Sequence, residues 1–320
     1  MRTVAPLHPD AKRALEIVAE LERGVTPPVP IPQMRALMQA RTKRMAADPP
    51  PAAHTVDRVL EQDGLAVRVR IDYPRPPQAS ALQPALVWCH GGGFVVGDVD
   101  MTQTVCRTIC RDADIAVVSV DYRLAPEHRF PAGLLDAMAV TRHVALQGAA
   151  LGIDGRRLAV GGDSAGGNLA AATSQALHGR DGIALRYQAL VYPVTDLTCA
   201  QPSYTDLGTG YPLTAERMRN YIALYLSDPA QVTDPRASPL LATSVAGQPP
   251  ALVVVAGLDP LVDEGIAYAE RLRTEGGEAE VVEVPDHPHG FLGWTREADG
   301  SRRTLAHIAK RLGERLHAPV

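Results

Sequence analysis

Ser164 lies in Gly-Asp-Ser-Ala-Gly, residues 162–166 of this 320-residue chain, between an apolar segment at 157–160 and an alanine-rich segment. A tight turn between a strand and a helix would hold the serine hydroxyl above the edge of a sheet. The N-terminus of the helix would favour negative charge there. The pattern therefore predicts a serine nucleophile, and a glycine-rich turn of purely structural origin is the alternative.

A serine nucleophile needs a general base and a carboxylate that orients this base. Both residue types follow the serine in the required order, each after a predicted strand. Asp259 is the candidate carboxylate, and its alternative role is a helix N-cap. His287 and His289 both compete for the role of base. Position alone favours His289, because Gly290 beside it could leave space for a substrate.

A histidine and three glycines follow a predicted strand in Cys-His-Gly-Gly-Gly, residues 89–93. Ordered glycine is costly, so three together indicate that the main chain itself has a task. We expect the N–H groups of Gly92 and Gly93 to bind the oxyanion of an attacked ester, and Gly91 to shape the turn. The N–H of Ala165 would complete this oxyanion hole. A flexible turn is the alternative.

The surrounding segments predict an α/β protein. Short, nearly continuous apolar runs alternate with helical stretches, which is typical of a parallel sheet covered on both faces. A hairpin with an Asp63-Gly64 turn precedes them. The predicted strands are 85–89, 115–122, 157–162, 187–194, 251–259 and 279–285. The predicted helices are about 101–113, 131–148, 165–179, 263–276 and 297–317.

Two segments are predicted to form a cap over the sheet. Residues 1–50 are predicted to be N-terminal cap helices, and residues 51–320 the catalytic domain. An insertion at about 195–235, with a single predicted helix, has the length of a lid or binding element.

The composition excludes several classes of protein. A net charge of −4 without blocks of like charge argues against nucleic acid or an anionic membrane as a partner. No segment approaches the roughly 18 apolar residues of a membrane span, and the first residues lack the apolar core of a signal peptide. Four cysteines suit a reducing compartment, so we expect a cytoplasmic protein. Neither the Cys106–Cys110 pair nor the two histidines have an obvious further ligand, so no metal is expected.

Together these segments resemble the hormone-sensitive-lipase family of α/β-hydrolases, the bacterial family IV esterases. The resemblance runs from about residue 85 to the C-terminus, and Pro288, before the base, departs from the less rigid residue usual in the family. The matching segments are HGGGF (90–94), DYRLAPEHRFPAGLLDA (121–137), GGDSAGGNLA (161–170), ASPLLA (237–242), DPLVDEG (259–265) and HGF (289–291).

The resemblance implies an eight-stranded, mostly parallel sheet with a helical cap, and an esterase without cofactors. It makes Ser164 the nucleophile, Asp259 the acid and His289, rather than His287, the base. It also implies the oxyanion hole described above. Asp163 places the chain in the GDSAG branch, and dimers among such proteins suggest a homodimer.

The expected reaction is hydrolysis of short- to medium-chain acyl esters, because a cap limits the length of the chain that fits. Activity should rise with pH as His289 loses its proton. The same triad acting on amides, carbamates or lactones is one alternative. A non-catalytic small-molecule receptor is another, although the complete triad argues against it. The candidate pocket residues are Phe94, Asp163, Tyr192, Leu213, Phe291 and Trp294.

Overall fold

The computed structural model describes residues 5–26 and 28–319, so the parts of the predicted cap at residues 1–4 and 27 lie outside the described residues. The described strands are β1 His54–Gln62, β2 Leu65–Tyr73, β3 Gln83–Cys89, β4 Ala116–Val120, β5 Ile153–Asp163, β6 Tyr187–Val191, β7 Ala251–Leu258 and β8 Ala279–Pro288. The described α-helices are α1 Pro9–Leu21, α2 Ile31–Met45, α3 Gln103–Ala113, α4 Ala132–Gln147, α5 Ala165–Leu177, α6 Ser203–Asp206, α7 Ala215–Tyr225, α8 Val262–Thr274 and α9 Asp299–His317.

The eight strands form one sheet in the order β1-β2-β4-β3-β5-β6-β7-β8. β1 and β2 pair antiparallel, as do β2 and β4, and every other neighbouring pair is parallel. This confirms the predicted α/β-hydrolase fold with its mostly parallel sheet.

Both faces of the sheet are covered by helices, which explains why the central strands lack a polar face. Every residue of β3, β4, β6 and β7 is buried. Successive side chains of a strand point to opposite faces. Accordingly, Val87 of β3 packs in the core beneath α4 and α5, whereas Trp88 packs in the core with α1, α3 and α9.

The bounds of several elements differ from the sequence prediction; β5, for example, begins at Ile153 rather than at residue 157. β6 ends at Val191 rather than at residue 194, because Tyr192 has a φ of 35° that a strand cannot contain. β8 continues to Pro288, three residues beyond its predicted end. The insertion contains the short helix α6 in addition to the predicted helix α7.

None of the helices described between residues 5 and 319 is long and apolar enough to cross a membrane.

Candidate active site

Ser164 occupies a strained turn between β5 and α5. Its φ of 57° and ψ of −119° lie in a region that residues with a side chain rarely adopt, so the surrounding contacts must hold it there. Its N–H donates to the carbonyl of Val191 at 2.8 Å. A Cβ on Gly166 would overlap the carbonyl of Cys89. The glycine spacing of the motif therefore lets the turn pack against the end of β3.

The end of β8 carries the base to the serine. Leu258 pairs with Pro288 in the sheet, so Asp259 and His289 leave neighbouring strands side by side. Parallel strands place their carboxyl ends at one edge, which is also where β5 delivers Ser164. Pro288 thus ends the strand directly before the base.

The three predicted triad residues form one chain of hydrogen bonds. Nδ1 of His289 lies 2.6 Å from Oδ2 of Asp259, and Nε2 lies 2.8 Å from Oγ of Ser164. Asp259 is fully buried, and its Oδ1 accepts the N–H of Leu261 at 3.0 Å. A carboxylate that accepts Nδ1–H leaves Nε2 as the acceptor for the serine hydroxyl. The arrangement can therefore remove a proton from Ser164.

His287 has different surroundings. It is fully buried within β8, and its Nδ1 lies 2.7 Å from Oδ1 of Asp286. A Cβ on Gly300 of α9 would overlap its ring. His287 is thus packed beneath α9 and makes no hydrogen bond to Ser164.

The loop after β3 faces the serine with free donors. Gly92 has a φ of 126°, and a Cβ there would overlap the carbonyl of Val96. A Cβ on Gly93 would overlap the ring of Tyr221 from α7. In the described part of the chain, the N–H groups of Gly92, Gly93 and Ala165 donate to no protein group. Ala165 begins α5, where helix N–H groups have no partner within the helix.

Gly91 differs from its two neighbours, because its N–H is already in use. It donates to Oδ1 of Asp163 at 3.0 Å, and a Cβ on Gly91 would overlap the other carboxylate oxygen. Gly91 therefore belongs to the predicted oxyanion hole only as the residue that shapes its turn, and it offers no donor to an oxyanion. Burial raises the pKa of Asp163 to about 6.

The segment 121–137 supports the same loop from below. The hydroxyl of Tyr122 donates to the carbonyl of His90 at 2.7 Å, and the two rings stack with centroids 4.3 Å apart. The N–H of Ala125 donates to the carbonyl of Phe94 at 2.9 Å. These contacts fix both ends of the glycine loop.

A cavity of about 600 Å³ opens onto Ser164 and His289. Four of the predicted pocket residues line it, namely Asp163, Tyr192, Leu213 and Trp294.

Two predicted pocket residues, Phe94 and Phe291, lie outside the lining. Phe94 has a φ of 65° and turns away to stack on Tyr225, with ring centroids 3.8 Å apart. Phe291 packs behind the wall against Tyr192, with centroids 5.7 Å apart. In both cases proximity in sequence to a motif did not determine the direction of the side chain.

Sequence reasoning missed the contribution of α2 to the cavity. Its lining side chains recur with the spacing of one helix face, and this periodicity is the signal that could have found them. Seven side chains of α2 line the cavity: Ile31, Met34, Leu37, Met38, Arg41, Thr42 and Met45. Arg41 is the charged residue among them. Glu22 and the α7 residues Arg217 and Tyr221 were also missed.

Among the described residues, no group of three or more histidine, cysteine or acidic side chains could hold a metal ion.

Comparison with known proteins places this geometry among esterases. A family model described as an alpha/beta hydrolase fold matches residues 86–293. The ethyl acetate hydrolase of Pseudomonas putida is 40% identical over 232 residues, which cover 72% of this chain and 73% of that protein. The carboxylic ester hydrolase LipN of Mycobacterium tuberculosis is 41% identical over 274 residues, covering 83% and 72%. The solved structure of a hyperthermophilic esterase from the archaeon Pyrobaculum calidifontis has a TM-score of 0.89 at 35% identity, covering 97% of this chain and 99% of that one.

Proposed function

This chain belongs to the hormone-sensitive-lipase-like family of α/β-hydrolases and is a carboxylesterase, and from that premise we propose that it cleaves short- to medium-chain acyl esters with Ser164 as nucleophile. The observation that carries this proposal is the hydrogen-bonded chain from Asp259 through His289 to Ser164. These hydrogen bonds end at Ser164, which lines a cavity large enough for a small ester.

Acylation begins when Nε2 of His289 takes the hydroxyl proton of Ser164. Oγ then attacks the ester carbonyl, and the N–H groups of Gly92, Gly93 and Ala165 stabilise the oxyanion. His289 returns the proton to the leaving alcohol as the tetrahedral intermediate collapses to an acyl-enzyme.

Deacylation repeats the same steps with water. His289 takes a proton from the water, and the resulting hydroxide attacks the acyl carbonyl. The proton then returns to Oγ of Ser164 as the carboxylic acid leaves. Asp259 stabilises the imidazolium in both halves of the cycle, since it accepts from Nδ1 throughout.

The acyl-chain preference follows from a cap made of α1, α2 and the insertion at about 195–235. An ion pair between Glu22, at the end of α1, and Arg217 of α7 supports this assignment, with Nη2 and Oε2 2.5 Å apart. Side chains of α1, α2 and α7 line the cavity that opens onto Ser164, and the space between them limits the length of the acyl chain that fits.

A cytoplasmic location is proposed on the basis of the cysteines. All four are free thiols, and three of them are buried within the core. The homodimer implied by the family resemblance stays a prediction.

The test is hydrolysis of a p-nitrophenyl ester series from acetate to laurate. We expect turnover to peak at short chains and to fall by about 10⁴- to 10⁶-fold in kcat for Ser164→Ala. Ser227→Ala is the matched control, because this exposed serine lies outside the cavity lining. Equal rates for the two variants would rule out Ser164 as the nucleophile, and a peak at laurate would contradict the proposed chain preference.

A further inference from the structure

Arg41 brings a positive charge into the apolar part of the substrate cavity. It lies on the face of α2 whose other members include Ile31, Met34, Met38 and Met45, all of which line the cavity. Hydrophobic side chains dominate such a stripe because it faces the protein interior. A guanidinium at this position therefore needs a reason.

The guanidinium reaches the immediate neighbourhood of the catalytic base. A Cβ on Gly290, the residue after His289, would lie 2.9 Å from Nη2 of Arg41. The Cζ atom stands 5.7 Å from the ring centroid of Trp294, a cation–π contact that holds the side chain over the cavity wall. Arg41 thus points a cation at the space beside His289.

No carboxylate in the described part of the chain pairs with this cation. Within residues 5–26 and 28–319, Arg41 makes no hydrogen bond or ion pair. Glu22 interacts electrostatically with Arg41, but its carboxylate pairs with the guanidinium of Arg217, with N···O distances of 2.5 and 3.2 Å. Asp163 accepts from Gly91, and Asp259 is held in the triad.

A positive charge in this position favours the binding of an anion. Burial lowers the pKa of Arg41, yet a guanidinium keeps its charge at neutral pH. Arg41 is partly buried, so its cation loses hydration without gaining a protein partner, whereas a carboxylate can bind the planar guanidinium through two parallel hydrogen bonds. A substrate that brings its own carboxylate would supply this partner.

We propose that Arg41 binds a carboxylate on the alcohol part of the substrate. This inference rests on the proposed function and names its substrate class: acyl esters of short hydroxy acids. His289 must protonate the leaving alcohol oxygen, so the alcohol part lies beside the imidazole. Gly290 follows His289, and the guanidinium of Arg41 lies beside the space above Gly290, so an anionic group on the alcohol side meets the guanidinium.

The test compares two esters that differ only in charge, the acetate esters of 3-hydroxypropanoate and 3-hydroxypropanamide, with acid release followed by titration. We expect the wild type to prefer the anionic ester by about 10- to 100-fold in kcat/KM, mainly through a lower KM. Arg41→Met should abolish this preference by lowering kcat/KM for the anionic ester more than for the neutral one. Arg41→Lys should keep part of the preference, because lysine keeps the positive charge but cannot make two parallel hydrogen bonds to a carboxylate.

Lys43→Met is the matched control, since it removes a positive charge from the exposed side of the same helix. It should leave the preference unchanged. A second pair, monoethyl succinate and ethyl succinamate, carries the charge on the acyl side. A preference for the anionic ester that appears only in this second pair would overturn the assignment of Arg41 to the alcohol side of the substrate.

Two further outcomes would overturn the proposal: equal kcat/KM for both acetate esters in the wild type, or an equal loss for both in Arg41→Met. Failure of the esterase function itself is separable. Calorimetry with Ser164→Ala measures binding of acetoxypropanoate without turnover, and adding Arg41→Met should weaken it by at least about tenfold. Unchanged binding in the double variant would exclude the carboxylate site whatever the catalytic activity.

Discussion

Asp163 links the nucleophile to the oxyanion loop. It directly precedes Ser164, and its carboxylate accepts the N–H of Gly91. Burial raises the pKa of Asp163 to about 6, so the group is charged at neutral pH and protonated in mild acid. A positive charge on His289 favours the ionised form of Asp163 and partly offsets the effect of burial. Asp163 is therefore a positioning residue for the glycine loop.

Replacing Asp163 by asparagine should change the pH dependence of catalysis. The ionised carboxylate accepts the N–H of Gly91, and asparagine offers only a neutral oxygen at every pH. The variant should therefore lose the part of the kcat/KM profile that follows ionisation of Asp163 near pH 6, so its acidic limb should be less steep than that of the wild type. Hydrolysis of p-nitrophenyl acetate from pH 5 to 9 measures this limb.

The control for this prediction is Asp181→Asn, which removes a carboxylate that pairs with Arg142 at the surface. Its profile should match the wild type. An acidic limb of unchanged steepness in Asp163→Asn would show that ionisation of Asp163 does not contribute to activity.

At the scale of single elements, the glycine loop after β3 depends on main-chain geometry. Gly92 needs its positive φ, and its Cα faces the carbonyl of Val96 without room for a side chain. The carbonyl of Gly92 in turn accepts the N–H groups of Val95 and Val96 at 3.1 and 3.0 Å. The loop is a folded turn, and its donors are held in place before substrate binds.

Gly92→Ala should displace these donors and lower kcat by about 10²- to 10³-fold. Gly247→Ala is a control for backbone strain alone, because Gly247 also has a positive φ, of 73°, but no atom within 4 Å of a new Cβ. It should cost about 1 kcal/mol of stability and leave kcat unchanged. Kinetics and thermal melts of both variants check this, and similar kcat values would argue against a rigid oxyanion loop.

Two carboxylates change the stability of the whole molecule with pH in opposite directions. The hydrogen bonds of Asp57 to Arg70, and then to Arg68, lower its pKa to about 2. This contribution to stability is present above the unfolded pKa of about 3.9 and is lost as the pH falls towards 2. The raised pKa of Asp163 acts the other way: its contribution is present below about 4 and is lost as the pH rises through 6.

Asp57→Asn should therefore destabilise the protein at pH 7 but not at pH 2. The side chain of Asp57 is 42% exposed, so water screens its ion pairs and limits them to about 1 kcal/mol. We expect a fall in Tm of about 1 to 3 °C at pH 7 and none at pH 2. Asp48→Asn is the control, because this side chain is fully exposed. An equal fall at both pH values would mean that the loss is steric and not electrostatic.

The sequence by itself determined the fold class and the candidate catalytic residues. The turn around Ser164 and the loop at Gly92 are encoded locally, because glycine at those positions avoids overlap with backbone atoms a few residues or one strand away. The apolar runs predicted the buried strands, and the order of the strands predicted that Asp259 and His289 would meet the serine. These features depend on short-range steric rules and on the common direction of parallel strands.

The tertiary structure decided which side chains surround the substrate. Phe94 and Phe291 adjoin motifs but point elsewhere, and Gly91 turned out to bind Asp163, two outcomes that depend on packing between distant segments. The periodicity of α2 marks the helix face that carries Arg41, but no local pattern shows what this face covers. Arg41 reaches the site because α2 packs over the cavity, and this packing depends on residues far apart in the chain.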